Sequence, residues 1–402
     1  MNVQYQTMHP EKGLLQYTDT KRYLWVVSLL LPLLALTGVG AYFLFGHAEV
    51  ALFLPLVVLY GVLPLLDVLS GSDACNPPEE LVQQLEQDRY YRVLTWLTVP
   101  MHYVVLILIA WFVGTHELSV WGLLAAALTA GLYSGFGINT AHELGHKKNA
   151  FERVLARLVL AVSTYGHFCI EHNRGHHRDV ATPEDPASAR MGESVYKFVL
   201  REIPGAFMRG WNDEKNRLHR KGKSVWNVEN EILQTFALGG VLQAGLLIAF
   251  GWIMVPFLVI HNIWAWFQLT TVNYVEHYGL LRQRGANGRY ERCQPHHSWN
   301  ANYVASNVLL FHLERHSDHH ANPTRRYQSL RNFDKLPELP NGYFGMFVLA
   351  YVPWLWYRVM DKRLLALPHI RGDLSKVNID PAKRDAILAR YGQDPQVATA
   401  GG

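Results

Sequence analysis

Six stretches of the chain are apolar for long enough to cross a bilayer, which takes about 20 consecutive mostly hydrophobic residues per helix. They are Tyr23–Phe45, Ala51–Leu69, Leu94–Gly114, Trp121–Asn139, Ile232–Phe250 and Met254–Tyr274. They fall in pairs joined by the short segments Gly46–Val50, Thr115–Val120 and Gly251–Ile253, none of which carries Lys or Arg. The pattern predicts three transmembrane hairpins. Pro32, Pro55, Pro64, Pro100 and Pro256 lie in or beside the spans, where neighbouring helices can satisfy the backbone groups that proline frees. Two shorter apolar stretches, Val154–Ile170 and Phe344–Met360, are expected to rest at the membrane face, the second as an interfacial helix.

The remaining segments carry the positive charge. Lys12, Lys21 and Arg22 precede the first span, Arg89 and Arg92 separate the first two hairpins, and fifteen Lys and Arg lie between Ala141 and Asn230. Nine more lie between Glu276 and Pro340. The positive-inside rule then places both termini and all long loops in the cytoplasm. The first apolar run is too long for a signal-peptide core and no small-residue cleavage site follows it. The expected organisation is therefore two hairpins in 1–140, a cytoplasmic segment in 141–231, the third hairpin in 232–275, a second cytoplasmic segment with the interfacial helix in 276–380, and a polar tail in 381–402. The fold class is an all-α integral membrane protein with a histidine-rich helical cap.

Composition agrees. Charged residues make up 17% of the chain, against about 25% in soluble domains. A net charge of +4, widely spread, gives no footprint for nucleic acid. Three scattered cysteines, Cys75, Cys169 and Cys293, exclude a disulfide framework, a CxxC zinc site and a four-cysteine iron site. The unusual number is 20 histidines, 15 of them between His142 and His320.

Four groups of these lie just beyond the cytoplasmic span ends: His142-Glu-Leu-Gly-His146, His172-Asn-Arg-Gly-His176-His177, His277 within Asn273–Gly279, and His316-Ser-Asp-His319-His320. Residues three or four apart share one face of a helix, so His142/His146, His172/His176 and His316/His319/His320 are each expected to present imidazoles towards one point. Nine imidazoles exceed the needs of one tetrahedral zinc, and the count favours two metals. Imidazole suits iron, copper, nickel and zinc and does not choose among them. Of the other histidines, His9, His47, His116, His219 and His369 sit in tails or loops, and His102 and His261 read as hydrogen-bonded polar residues inside spans. Trp25, Trp96, Trp111, Trp121 and Trp252 read as helix anchors or packing residues.

Rival chemistries remain open at this level. His142–His146 also matches H-E-x-x-H, the zinc-protease helix with Glu143 as general base, though that site gives no role to the other clusters. A heme or metal transporter should spread its histidines along the spans. A carboxylate diiron bundle needs paired Glu-x-x-His helices.

The clusters HELGH, HNRGHH and HSDHH, with NYVEHYG, resemble those of the integral-membrane non-heme diiron desaturases and hydroxylases. The longer strings NYVEHYGLLR (Asn273–Arg282) and LERHSDHHANPTRRYQSLR (Leu313–Arg331) are similar to the bacterial alkane 1-monooxygenases, as are RYYRVLTWLTVPMHY and SVYKFVLREIPGAF. Fatty-acyl desaturases share the box pattern but not these flanking strings. The resemblance implies hydroxylation of the terminal methyl of a medium- to long-chain n-alkane to a 1-alkanol. Dioxygen is then the co-substrate, and electrons come from a rubredoxin served by an NADH-dependent rubredoxin reductase. It implies two non-heme irons held by His142, His146, His172, His176, His177, His277, His316, His319 and His320, in a bacterial inner membrane. His167, His296, His297 and His312 fall outside that set. The chain lacks the CxxC pairs of a rubredoxin, so the carrier is expected as a separate protein or beyond Gly402, docking on the basic face.

An alkane offers no polar handle, so recognition must come from shape and apolar contact, with entry from the bilayer. Glu143, Asp179, Asp185 and Asp318 are close enough in sequence to orient the imidazoles. Leu59, Val62 and Leu66 on the second span are the expected channel residues.

Overall fold

The computed structural model describes residues 3–392. Among them six helices are long and apolar enough to cross a membrane: Val26–Leu44, Glu49–Ser70, Arg89–Thr115, Val120–Gly145, Glu231–Phe250 and Met254–His277. Each falls on an expected span, with its ends moved by a few residues. Short polar side chains start several of them: Asp88, Ser119 and Asn230 each accept from a backbone N–H of the first turn. The second span is the most irregular. It opens as a tight 3₁₀ turn at Glu49–Phe53 and widens to a π turn at Val58–Val62. Pro55 and Pro64 flank that widening, where each removes a backbone donor.

The fourth span is the centre of the bundle, with 78% of its most apolar window buried against 22–50% in the other five. Small residues make this close approach workable. A Cβ on Gly131 would lie 2.6 Å from the carbonyl oxygen of His261, and one on Gly135 would lie 2.9 Å from Cβ of Gln268. The sixth span therefore packs directly on the fourth, and His261 Nε2 meets Ser134 Oγ across the seam at 2.8 Å. This contact brings the last turns of both spans, and hence His142 and His277, to the same end of the molecule.

Three features differ from the sequence expectation. The N-terminus forms an antiparallel hairpin, β1 (Gln4–His9) with β2 (Gly13–Thr18), Gln4 opposite Thr18. It is pinned by Tyr5 Oη to Asp88 at 2.7 Å. Phe344–Met360 is two helices, Tyr343–Ala350 and Pro353–Leu365, broken where Pro353 starts the second. Phe344, Phe347 and Trp356 are buried in the main core, while Val348 and Trp354 are exposed, so one face of this stretch packs on the protein and the other stays open. Part of the expected polar tail is also docked. Arg384–Tyr391 is a helix whose Ile387 and Tyr391 are buried, with Tyr391 Oη bonded to Asp361; residues 393–402 of that tail lie outside the described residues.

Gly135→Leu should wedge the fourth and sixth spans apart. Overpacking of this kind costs about 1–3 kcal/mol. A lower unfolding temperature of the solubilised protein, with less bound metal, is the expected result.

Candidate metal centre

The nine clustered histidines come together at one end of the bundle, delivered by four separate segments. His142 and His146 close the fourth span, and His277 ends the sixth. Residues 168–179 form one helical run, and His316–Ala321 a short helix. The rings divide into two groups: His142, His146, His172, His177 and His319; and His176, His277, His316 and His320. Within each group the candidate ligand nitrogens all lie within 4.8 Å of one another. His142 Nε2 is 2.9 Å from His319 Nε2, and His177 Nε2 is 3.0 Å from His319 Nε2 and 3.1 Å from His172 Nε2. In the second group His316 Nε2 is 3.2 Å from His277 Nε2 and 2.9 Å from His320 Nε2. The groups are neighbours, with the rings of His177 and His320 4.5 Å apart.

This convergence fits a bound cation. A neutral imidazole has one N–H and one lone pair, so three Nε2 atoms facing one another cannot all be satisfied by hydrogen bonds. His146 Nε2 and His176 Nε2 are buried with no hydrogen-bond partner. Burial, and then repulsion from neighbouring rings, holds His146, His172, His177, His316, His319 and His320 well below the ordinary histidine range. They are neutral, with lone pairs free to bind a metal of borderline softness.

The allocation of rings corrects a simple reading of the spacing. His172 and His176, four apart, were expected to face one point, yet they belong to different groups. The reason is a π turn over His172–His176, closed by the N–H of His177 on the carbonyl of His172. One extra residue in that turn returns His177, not His176, to the azimuth of His172. The last cluster is divided as well: His316 and His320 join one group and His319 the other. His142 and His146 keep the expected partnership, as do His316 and His320.

The outer nitrogens show how the rings are aimed. His176 Nδ1 meets Asp185 Oδ2 at 2.9 Å, and His277 Nδ1 faces the carbonyl oxygen of His297 at 3.2 Å. Glu276 Oε1 is 3.2 Å from His316 Nδ1, but off the line of a hydrogen bond, so His316 Nδ1 stays unbonded. Asp185 also takes Arg209 at 2.7 Å and Ser188 Oγ at 2.7 Å. Burial would raise its carboxyl, but His176, Arg209 and Ser188 outweigh that and hold it below the usual carboxylate range. Arg209 in turn clamps Glu171 at 2.8 Å. Of the four carboxylates expected to orient rings, only Asp185 does so. Glu143 pairs with Lys147 at 3.1 Å. Asp179 lies with Arg178 at 2.7 Å, and Asp318 takes Asn322 at 2.7 Å and Arg325 at 3.1 Å. Proximity in sequence does not set which face of a helix a side chain occupies. Glu276 and the His297 carbonyl were missed, although a carboxylate directly before His277 was a readable signal.

The histidines left out of the set sit apart from it. His312 bonds the carbonyl of Tyr327 at 2.9 Å and packs its ring against Trp25. His167 lies between Tyr165 and Phe207. His296 and His297 stand with Glu291 in a separate cluster.

An apolar cavity opens onto both groups. Phe136, Leu269, Leu310, Leu313 and Phe347 line it, together with His142, His172 and His316. Its free volume is only about 30 Å³. The three expected channel residues are elsewhere: Leu59 is buried in the main core, Val62 is 42% exposed, and Leu66 lines a separate groove.

Residues 119–357 match the family model described as fatty acid desaturase. The chain is 54% identical over 94% of its length to alkane 1-monooxygenase 1 of Alcanivorax borkumensis, covering 92% of that protein. It is 54% identical to the alkane 1-monooxygenase of Ectopseudomonas oleovorans, with 94% and 93% of the two chains covered. The chain belongs to the alkane 1-monooxygenase family. A more distant relative is the hydroxylase component of xylene/toluene monooxygenase, XylM, of Pseudomonas putida, 29% identical over 62% of this chain and 64% of its own. Like other alkane 1-monooxygenase family members, the chain is thus a multi-pass membrane oxygenase, and the histidine groups sit inside the matched region.

Asp185→Ala should leave the nine rings in place but free His176 to turn. Losing a partner of this type typically lowers metal affinity about 10–100-fold, to be read as metal retained against a chelator. Glu202 gives a pH dependence. It is buried beside the cavity wall, bonded to Thr270 at 2.8 Å and Asn273 at 3.2 Å. Burial raises its carboxyl to about 7 from 4.5, with the Glu171 charge adding and the Thr270 bond opposing. The folded state therefore holds a proton that the unfolded chain loses. This stabilisation, about 3 kcal/mol, is full below about pH 4.5 and is lost as pH rises through 7. Glu202→Gln should remove that decline, read as thermal unfolding temperature across the range.

Proposed function

We propose that the two groups of imidazoles hold two irons, five rings on one and four on the other. We further propose that the protein converts the terminal methyl of a medium- to long-chain n-alkane to a primary alcohol. The observation that carries this reading is the meeting of two all-imidazole groups with the closed end of an apolar cavity. The relatives named alkane 1-monooxygenase supply the substrate class. The balance is R–CH3 + O2 + 2 e⁻ + 2 H⁺ → R–CH2OH + H2O. The electrons are assigned to a rubredoxin reduced by an NADH-dependent rubredoxin reductase. The excess of Lys and Arg on the histidine-bearing side supports a cytoplasmic site in a bacterial inner membrane.

Iron, when bound, supplies the activation of dioxygen that a strong methyl C–H bond requires. The chain does the rest. Phe136, Leu269, Leu310 and Phe347 leave a slender apolar space in which the end of an alkyl chain can approach the rings and water is disfavoured. Asp185, anchored by Arg209 and Ser188, fixes the tautomer of His176 by accepting from its Nδ1–H. The His297 carbonyl does the same for His277. Both rings then present Nε2 lone pairs inward.

Purified protein should carry about two irons and little zinc per chain. With octane to hexadecane, NADH, reductase and rubredoxin it should form 1-alkanols. Replacing any one of the nine histidines by Ala should abolish turnover and lower iron content, whereas His296→Ala and His312→Ala should retain iron. Desaturated acyl products would transfer the assignment to a desaturase, and one zinc with peptide cleavage to a protease.

A further inference from the structure

His167 takes no part in the metal centre, yet it is only 4% exposed. Neither of its ring nitrogens meets a hydrogen-bond partner among the described residues. Its contacts are apolar, with the rings of Tyr165 and Phe207 at 4.4 and 5.4 Å. Burial pushes the imidazole down to about 3 from 6.5, so the ring is neutral and offers one N–H and one lone pair. Buried polar groups in native proteins are nearly always paired, and this one is left waiting for a partner.

The ring lines an apolar chamber of about 530 Å³. Its other walls include Ile203, Pro204 and Phe207 of the helix Val195–His219, Phe236 and Gly240 of the fifth span, and Trp266 of the sixth. A second chamber of about 630 Å³ shares Ile203, Pro204 and Trp266 with it and runs on past Leu200 and Phe267 to Tyr351. Each has the size of a small-molecule site. No Asp, Glu, Lys or Arg is among the described residues that line either one. Neither shares a lining residue with the cavity beside the clustered imidazoles. Phe236 and Gly240 lie in the first three turns of the fifth span, and Leu200 on the rim is 78% exposed. The two chambers form one groove that faces lipid in the half of the bilayer nearest the imidazoles.

We propose that this groove is a binding site for a long-chain primary alcohol, with the hydroxyl on His167 and the alkyl chain lying along the helix Val195–His219. The ring selects the head. A hydroxyl both donates and accepts, so it pairs with whichever nitrogen of the neutral imidazole faces the chamber. A carboxylate or phosphate would be buried as an anion with no cation beside it, which is costly. A plain alkane, or the tail of a phospholipid, would satisfy the walls and leave the nitrogens unpaired. The choice of an alcohol rests on the alkane-hydroxylase reading, which makes the 1-alkanol the product released into this membrane; the groove and its unpaired ring do not depend on it. The product is then held at a second site, outside the cavity in which it forms.

A 1-dodecanol carrying a diazirine near its methyl end tests this on the iron-loaded protein in phosphatidylcholine nanodiscs. After illumination, peptide mapping should find the label on the helix Val195–His219 and the sixth span. Unlabelled 1-dodecanol should displace the probe and dodecane should not. His167→Phe keeps a ring between Tyr165 and Phe207 but removes both nitrogens. It should raise the half-saturating probe concentration about tenfold, the worth of one hydrogen bond. Gly240→Trp fills the chamber from the fifth span, where a Cβ meets nothing within 4 Å, and should abolish labelling of the groove. Both variants should keep the parent's iron content. Displacement by dodecane as complete as by 1-dodecanol, or labelling unchanged in both variants, would overturn the proposal. A parent that binds the probe in the groove but makes no alkanol would leave this site standing and overturn the function reading; a parent that makes alkanol with its groove unlabelled would do the reverse.

Discussion

Nine imidazoles packed into a water-poor space are unstable unless something gathers their lone pairs. Burial keeps the rings of His146, His172 and His319 neutral, and neutral rings cannot all hydrogen-bond to one another when three Nε2 atoms meet within about 3 Å. Multivalent cations bound between the rings would relieve that conflict. Much of the architecture follows from the need to hold the rings in place. The small residues of the fourth span let the sixth approach, so that His142 and His277 end at one level. The π turn deals the second cluster to both imidazole groups, and Asp185, held by Arg209, fixes the His176 ring.

The spans were legible because each is a long unbroken apolar run, and hydropathy reports solvent directly. The gathering of the nine histidines was legible because four histidine clusters stand just past span ends. The partition of those ligands was not. A helical spacing rule assumes 3.6 residues per turn, and His172–His176 does not keep it. Asp179 and Asp318, close to ligands in sequence, spend their carboxylates on arginines. The ring-orienting partner of His277 is the carbonyl of His297, which comes from a later loop. The N-terminal hairpin escaped notice because two six-residue strands carry little pattern, and the docked C-terminal helix because only Ile387 and Tyr391 anchor it.

The substrate side shows a similar division of labour. The second span, which suggested channel residues by position alone, bends through two proline-flanked irregularities. Its Leu59 therefore turns into the core, while Leu66 faces the bilayer groove. The cavity wall nearest the rings is instead built by the fourth and sixth spans and by the turn after Leu309. The same helices that carry the clustered histidines thus also shape the cavity beside them.

Iron X-ray absorption on the purified, iron-loaded protein tests the central claim most directly. The account predicts two irons per chain in a nitrogen-dominated shell, averaging between four and five imidazoles per metal by their outer-ring scattering, with no sulfur. A shell dominated by carboxylate oxygen, or a single metal bound only by His142 and His146, would contradict it.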